Sequence, residues 1–150
     1  ALATMQAAVV AHDPTALTDD FLIEAHVPHP LAEMVVGLRR DPQFGWSLTL
    51  GSGGIYVELL QDTKTLLLPT DGRQIVKAIR SLKLFALLDG FRNRPKTDLT
   101  SLSAQILSLC HFVQNTQNHL QEIEINPLFI YATHGLAVDA LVRCDAVPPV

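Results

Sequence analysis

Leu99, Leu102, Ile106, Leu109 and Val113 recur at three- and four-residue steps, the spacing of one face of a helix running from Asp98 to Val113. That stripe is unstable in water unless another layer covers it. The chain supplies a covering layer in the alternating runs Phe21 to Val27, Glu33 to Arg40 and Trp46 to Leu50, which read as strands, the first two separated by Pro28-His29-Pro30. Trp46, Leu48 and Leu50 share one face of the third run. A second helix is predicted over Thr70 to Lys83, where Ile75, Ile79 and Leu82 follow the helical repeat and Thr70 or Asp71 can cap the first turn. Ala1 to Ala11 is Ala-rich and helix-prone, and His12-Asp13-Pro14 interrupts it. Strands, then helices, then a terminal hairpin predict an α+β fold, a mainly antiparallel sheet with packed helices. At 150 residues and 48% hydrophobic, one domain spanning residues 1–150 is expected.

The hairpin begins with Glu124-Ile125-Asn126-Pro127-Leu128. Regular alternation places Glu124, Asn126 and Leu128 on one face and Ile123, Ile125 and Phe129 on the other. Leu136 to Val142 reads as the returning strand, with the turn near Thr133-His134-Gly135. An even loop pairs Phe129 with Val138. Asp139 then lies opposite Leu128 and diagonal to Asn126 on the same face, about 7–8 Å away between backbones. Oxygen ligands at that spacing suit Mg²⁺, which takes one or two carboxylates and completes its shell with waters and substrate phosphates. A local reading stands beside this one: Asn126 capping a turn before Pro127, and Asp139 a solvated strand residue.

A net charge of −4, a pI near 5.8 and only 11 scattered Lys and Arg argue against nucleic acid or an anionic membrane surface as the main partner. No apolar run approaches the ~18 residues of a membrane span, and no secretion signal opens the chain. Cys110 and Cys144 fit neither a zinc pattern nor a disulfide framework, so reduced thiols and a cytoplasmic location are expected. The histidines His12, His26, His29, His111, His119 and His134 have no partner pattern, and no motif marks a nucleophile. With no Met at position 1, the chain reads as part of a longer polypeptide.

Three further segments are Glu33-Met34-Val35-Val36-Gly37-Leu38-Arg39-Arg40-Asp41-Pro42-Gln43-Phe44-Gly45, Gly51-Ser52-Gly53-Gly54-Ile55-Tyr56-Val57-Glu58 and Leu87-Leu88-Asp89-Gly90-Phe91-Arg92. Together with Glu124 to Leu128 and Asp139, they closely resemble the ATP-grasp domain of NDP-forming acyl-CoA synthetases. The domain also occurs in acyl-CoA-dependent protein acetyltransferases and, more distantly, in the succinyl-CoA synthetase beta subunit. The resemblance runs from Phe21 to Val142 and departs at Ser52, where relatives often carry Leu, and at Asn93, where Gly is commoner. It implies the C-terminal half of an ATP-grasp fold, with the first half and the CoA-ligase domains absent.

By the same resemblance, Glu24 and the backbone near Val27 read the adenine edge, and Glu33 receives the ribose hydroxyls. Gly53 and Gly54 let backbone amides approach phosphate, with Ser52 able to add a hydroxyl. Asn126 and Asp139 bind Mg²⁺, while Glu124 orders its waters or a second ion. Arg39, on the same strand face as Glu33, is the candidate charge for phosphate. Glu58 is assigned no chemical role. The implied cofactors are ATP and Mg²⁺. The implied partners are a carboxylic acid and CoA, or an acyl-CoA, reached through the missing domains, and self-association stays open. Two alternatives stay open as well: the ATP-grasp-like regulatory part of a protein acetyltransferase, and a non-catalytic nucleotide-binding half-module.

Overall fold

A computed structural model describes residues 1–16, 20–27, 30–54, 62–116 and 119–145. The described elements run α1 (Leu2–His12), β1 (Ala32–Asp41), β2 (Gly45–Ser52), β3 (Thr63–Leu67), α2 (Gly72–Arg80), the single turn α3 (Phe85–Leu88), a 3-10 turn (Phe91–Asn93), α4 (Leu99–Asn115), β4 (Leu120–Ile130), β5 (Gly135–Ala137) and β6 (Ala140–Cys144). All pairings are antiparallel, in the order β3-β2-β1-β4-β5, with β6 continuing along β4 where β5 ends. The fold is the expected α+β layer.

One face of the sheet carries the core. Met34, Val36 and Leu38 of β1 and Leu48 and Leu50 of β2 are at most 1% exposed, and they meet Ile75 and Ile79 of α2 and Leu102, Ile106 and Val113 of α4. Each such side chain contributes roughly 1.5–3 kcal/mol by leaving water, which is why the α4 stripe could not remain uncovered. Both helices start on aspartate. Asp71 accepts from the Gln74 amide at 2.8 Å while Gln74 Oε1 accepts from the Asp71 amide, a reciprocal capping box. Asp98 Oδ1 accepts from the Thr100 and Ser101 amides at 2.9 and 3.2 Å. At the β1–β2 turn, Asp41 Oδ1 accepts from the amides of Phe44 and Gln43, which hold its carboxyl below the usual carboxylate range.

Three expectations need correction. Residues 20–27 form no strand. Leu22 and Ile23 are 84% and 90% exposed, and without a neighbouring strand among the described residues their alternation has nothing to pair with. The second helix ends at Arg80 rather than Lys83, because the Lys83 and Leu84 amides donate to the Asp62 side chain instead of continuing the helical ladder.

The third correction concerns the hairpin. Phe129 pairs with Leu136, not Val138, so the loop is even but its register is shifted by two. In addition β4 contains one extra residue relative to β1: Met34 pairs with Leu128 and Val36 with Ile125. This bulge at Asn126-Pro127, whose peptide is cis, resets the alternation. Ile123 and Ile125 face the core before it, and Leu128 and Ile130 after it, so Leu128 does not share a face with Glu124. Asp139 consequently comes opposite Asn126 rather than Leu128. Flanking pairs Ile125–Ala140 and Leu128–Ala137 bracket them, and the Asn126 amide donates to the Asp139 carbonyl at 3.3 Å.

Candidate functional site

The start of β1, the end of β2 and the β4 bulge converge at one end of the sheet. The Gly53 amide donates to the Glu33 carbonyl at 2.8 Å, and the Gly54 amide donates to Asn126 Oδ1 at 3.3 Å. Both glycines are required by the close approach. A Cβ on Gly53 would fall 2.6 Å from the Met34 carbonyl carbon, and Gly54 has φ +71° with the Glu33 carboxylate where a Cβ would go. Arg94 donates to the carbonyls of Pro30 at 2.7 Å and Leu31 at 3.3 Å, fixing the chain as it enters β1 just before Glu33.

These residues border a cavity of about 900 Å³. Its polar side is Glu33, Ser52, Gly53, Gly54, Lys83 and Asn126; its apolar side is Leu84, Ala86, Leu87, Phe91 and Pro127. The Gly53 and Gly54 amides are already taken by the Glu33 carbonyl and Asn126 Oδ1, so the glycine turn offers close approach rather than the free amide donors expected from the sequence. A carboxylate, a lysine and a carboxamide beside an apolar wall suit a phosphorylated ligand with a flat or aliphatic part.

Of the residues picked from the sequence, Glu33, Gly53, Gly54 and Asn126 meet at this cavity. Asp139 does not line it but is joined through its backbone to Asn126; its Oδ1 accepts from the Ala140 amide at 2.8 Å. Glu124 is half-buried and lies across from Gly37 and Leu141. Arg39 sits six residues along β1 from Glu33, about 20 Å at strand rise. There it faces Ser47 and Glu122 in the neighbouring strands, away from the cavity. Glu24 and Val27 belong to the irregular stretch 20–27 and do not line the cavity. Glu58 falls outside the described residues.

Ser52 turns its hydroxyl to Asp62 Oδ2 at 2.9 Å, so that hydroxyl is engaged inside the fold rather than offered to an anion. Among the described residues no three His, Cys, Asp or Glu side chains gather in a metal cage. Among these residues Asn126 Oδ1 accepts from the Gly54 amide alone, and an amide oxygen has two lone pairs, so one is left that an ion could use.

Sequence reading missed Lys83, the apolar wall and Asp62. Lys83 and Leu84 fell inside or beside a helix predicted too long, and Asp62 belongs to no motif. Burial alone would raise the Asp62 carboxyl, but the amides of Lys83 and Leu84, the Ser52 hydroxyl and the Lys83 charge together hold it below the usual carboxylate range.

The same sheet and helices occur in solved ATP-grasp structures. Dinucleotide-forming acetyl-coenzyme A synthetase 1 of Ca. Korarchaeum cryptofilum, in complex with coenzyme A and Mg-AMPPCP, superposes with a TM-score of 0.73 at 28% identity, over 79% of this chain and 55% of that one. The ATP-grasp domain family matches residues 1–144, and the chain belongs to that family. Among curated relatives, it is 34% identical over 108 residues to the ADP-forming acetate–CoA ligase I subunit beta of Pyrococcus furiosus, 72% of this chain and 46% of that subunit. To the corresponding II subunit beta it is 30% identical over 102 residues, 68% of this chain and 43% of that subunit. The chain thus spans a little under half the length of these relatives. No helix among the described residues is long and apolar enough to cross a membrane.

Proposed function

We propose that this chain is the C-terminal half of an ATP-grasp domain within an NDP-forming acyl-CoA synthetase. It holds ATP-Mg for phosphoryl transfer, while the carboxylic acid and CoA are bound by parts of the assembly outside it. The observation that carries this reading is the convergence of Glu33, Gly53, Gly54 and Asn126 on one cavity, joined by hydrogen bonds between segments far apart in sequence. The ADP-forming acetate–CoA ligase activity of the relatives, and the Mg-AMPPCP and coenzyme A in the Korarchaeum structure, support the same reading.

In it, the Glu33 carboxylate accepts from ribose hydroxyls, and the adenine edge is read by Glu24 and the backbone at Val27. Gly53 and Gly54 allow the nucleotide to come close to main chain. Asn126 and Asp139 would hold magnesium, with Glu124 ordering its waters; such an ion, when bound, would supply positive charge against the phosphates. Arg39 shares Glu33's face of the sheet but lies between Ser47 and Glu122, away from the cavity, and is given no phosphate contact in this reading. The remaining ATP-grasp half and the CoA-binding domains are the partners the reading requires, and the cytoplasm is its compartment.

The test is a titration of the isotope-labelled 150-residue chain with Mg-AMPPCP followed by amide NMR. The Gly53 and Gly54 signals should move, and Asn126→Ala together with Asp139→Ala should remove the magnesium dependence while leaving the spectrum folded. Perturbations mapping to another face, or persisting unchanged in the double variant, overturn the assignment. The chain by itself should make no acyl-CoA, and turnover by the purified polypeptide would contradict a half-site.

A further inference from the structure

We infer that Asp62 is a positioning residue of the nucleotide site, a latch that fixes the cavity's glycine wall against its Lys83–Leu84 wall. This inference rests on the proposed nucleotide reading and adds to it a residue outside every motif in the sequence.

Asp62 is only 7% exposed, and each of its oxygens is engaged. Oδ1 accepts from the Lys83 amide at 2.9 Å, and Oδ2 accepts from the Leu84 amide at 3.0 Å and the Ser52 hydroxyl at 2.9 Å. Its carbonyl accepts from the Ser52 amide at 3.1 Å. One residue therefore grips the last residue of β2 by main chain and side chain, and grips two consecutive amides of the turn after α2. Ser52 leads directly into Gly53 and Gly54, while Lys83 and Leu84 border the cavity from the other side. The approach is close enough that a Cβ on Gly51 would fall 2.8 Å from the Asp62 carbonyl oxygen.

No other hydrogen bond described in the structure ties the Lys83–Leu84 amides to the sheet. Helix α2 has already ended at Arg80, so those amides have no helical acceptor. Removing the carboxylate leaves two inward-facing donors unpaired, and the turn must move to find water. Lys83 and Leu84 move with it, and the distance between the walls changes. A carboxamide cannot substitute, because Asp62→Asn retains one acceptor oxygen and turns an NH₂ toward groups that themselves donate.

The experiment compares wild type, Asp62→Asn and Ser52→Ala by amide NMR, first without ligand and then with Mg-AMPPCP. Without ligand, Asp62→Asn should shift the Lys83, Leu84, Gly53 and Gly54 amides and speed hydrogen exchange at Lys83 and Leu84, while Ile75, Ile106 and Ile123 stay protected. With ligand, Mg-AMPPCP affinity should fall about tenfold, the worth of one charge-assisted hydrogen bond lost from the site's support. Ser52→Ala, which keeps both turn amides paired, should lose clearly less. Unaltered Gly53 and Gly54 signals in Asp62→Asn, or wild-type affinity, overturn the latch. If Asp62→Asn does not fold, Ser52→Ala decides: shifts transmitted to Lys83 and Leu84 uphold the latch, and shifts confined to β2 and β3 overturn it. A wild-type chain that ignores Mg-AMPPCP while the ligand-free shifts appear as expected refutes the nucleotide reading and leaves the latch geometry intact, so the two failures are distinguishable.

Discussion

Gly54 and Asn126, 72 positions apart, are joined by a hydrogen bond from the Gly54 amide to the Asn126 side-chain oxygen at 3.3 Å. The bond closes the glycine turn against the β4 bulge, and its strength depends on how near the turn can come to β1. Gly53 sets that approach.

Replacing Gly53 by Ala should therefore be costly. Its Cβ would meet Met34 main-chain atoms at 2.6 to 2.9 Å, and backbone in the middle of a sheet yields less than a side chain does. The expected loss is about 2 kcal/mol or more, in the range of core overpacking. Gly54→Ala meets the movable end of Glu33 but at φ +71°, and should cost about 1 kcal/mol. Chemical denaturation of both variants checks the order. A Gly53→Ala protein as stable as wild type would show that the turn is not held against β1.

Much of this arrangement was legible in the sequence, and the failures have identifiable causes. Alternation located β1 and β2 because each buries one face, and the apolar stripe of α4 located the longest of the described helices. Alternation failed across Asn126-Pro127 because it assumes one residue per partner; the bulge breaks that assumption and moves Leu128 to the core face. The hairpin register slipped because four residues, Tyr131 to His134, separate the paired Ile130 and Gly135, and nothing in their types fixes that length. Asp62 sits in a polar run, Gln61-Asp62-Thr63-Lys64, that looks like any surface strand. Only the three-dimensional return of Lys83 and Leu84 gives it a role.

Acid should expose that role. The folded Asp62 carboxyl lies below its ordinary value, so the unfolded chain takes up its proton first as pH falls. Its contribution is fully present above the unfolded value of about 3.9 and is lost as pH drops through the lower folded value. Between neutral pH and that window, Asp62→Asn should be less stable than wild type by about 2 kcal/mol, the scale of buried donors losing a charged acceptor. The gap should narrow as the pH falls below the window. Urea midpoints measured across acid pH test this, and a gap independent of pH would mean the carboxylate charge is not what the amides use.

Asn93 explains one departure from the commoner sequence of the family. Its φ is +63°, in the left-handed region that glycine occupies freely and Asn tolerates better than other residues. Asn93→Gly should change stability by only a few tenths of a kcal/mol, whereas Asn93→Val should lose about 1–2 kcal/mol because a branched Cβ crowds the carbonyl there. Thermal unfolding of the pair is the measurement. Equal midpoints for the Gly and Val variants would contradict the left-handed conformation.

The two cysteines should separate by reactivity. Cys110 is fully buried on the core face of α4, and burial pushes its thiol up to about 11; Cys144 is exposed at the end of β6. A thiolate is the reacting species, so at pH 8 the buried group is both inaccessible and protonated. Iodoacetamide followed by mass spectrometry should give one label, on Cys144, in the native chain and a second only in denaturant. Because exchange through global unfolding is the remaining route to Cys110, its labelling rate should rise in Gly53→Ala in proportion to the increase in the unfolded population, while the Cys144 rate stays constant. Rapid native labelling of Cys110 with no such dependence would mean that α4 does not cover the sheet as described.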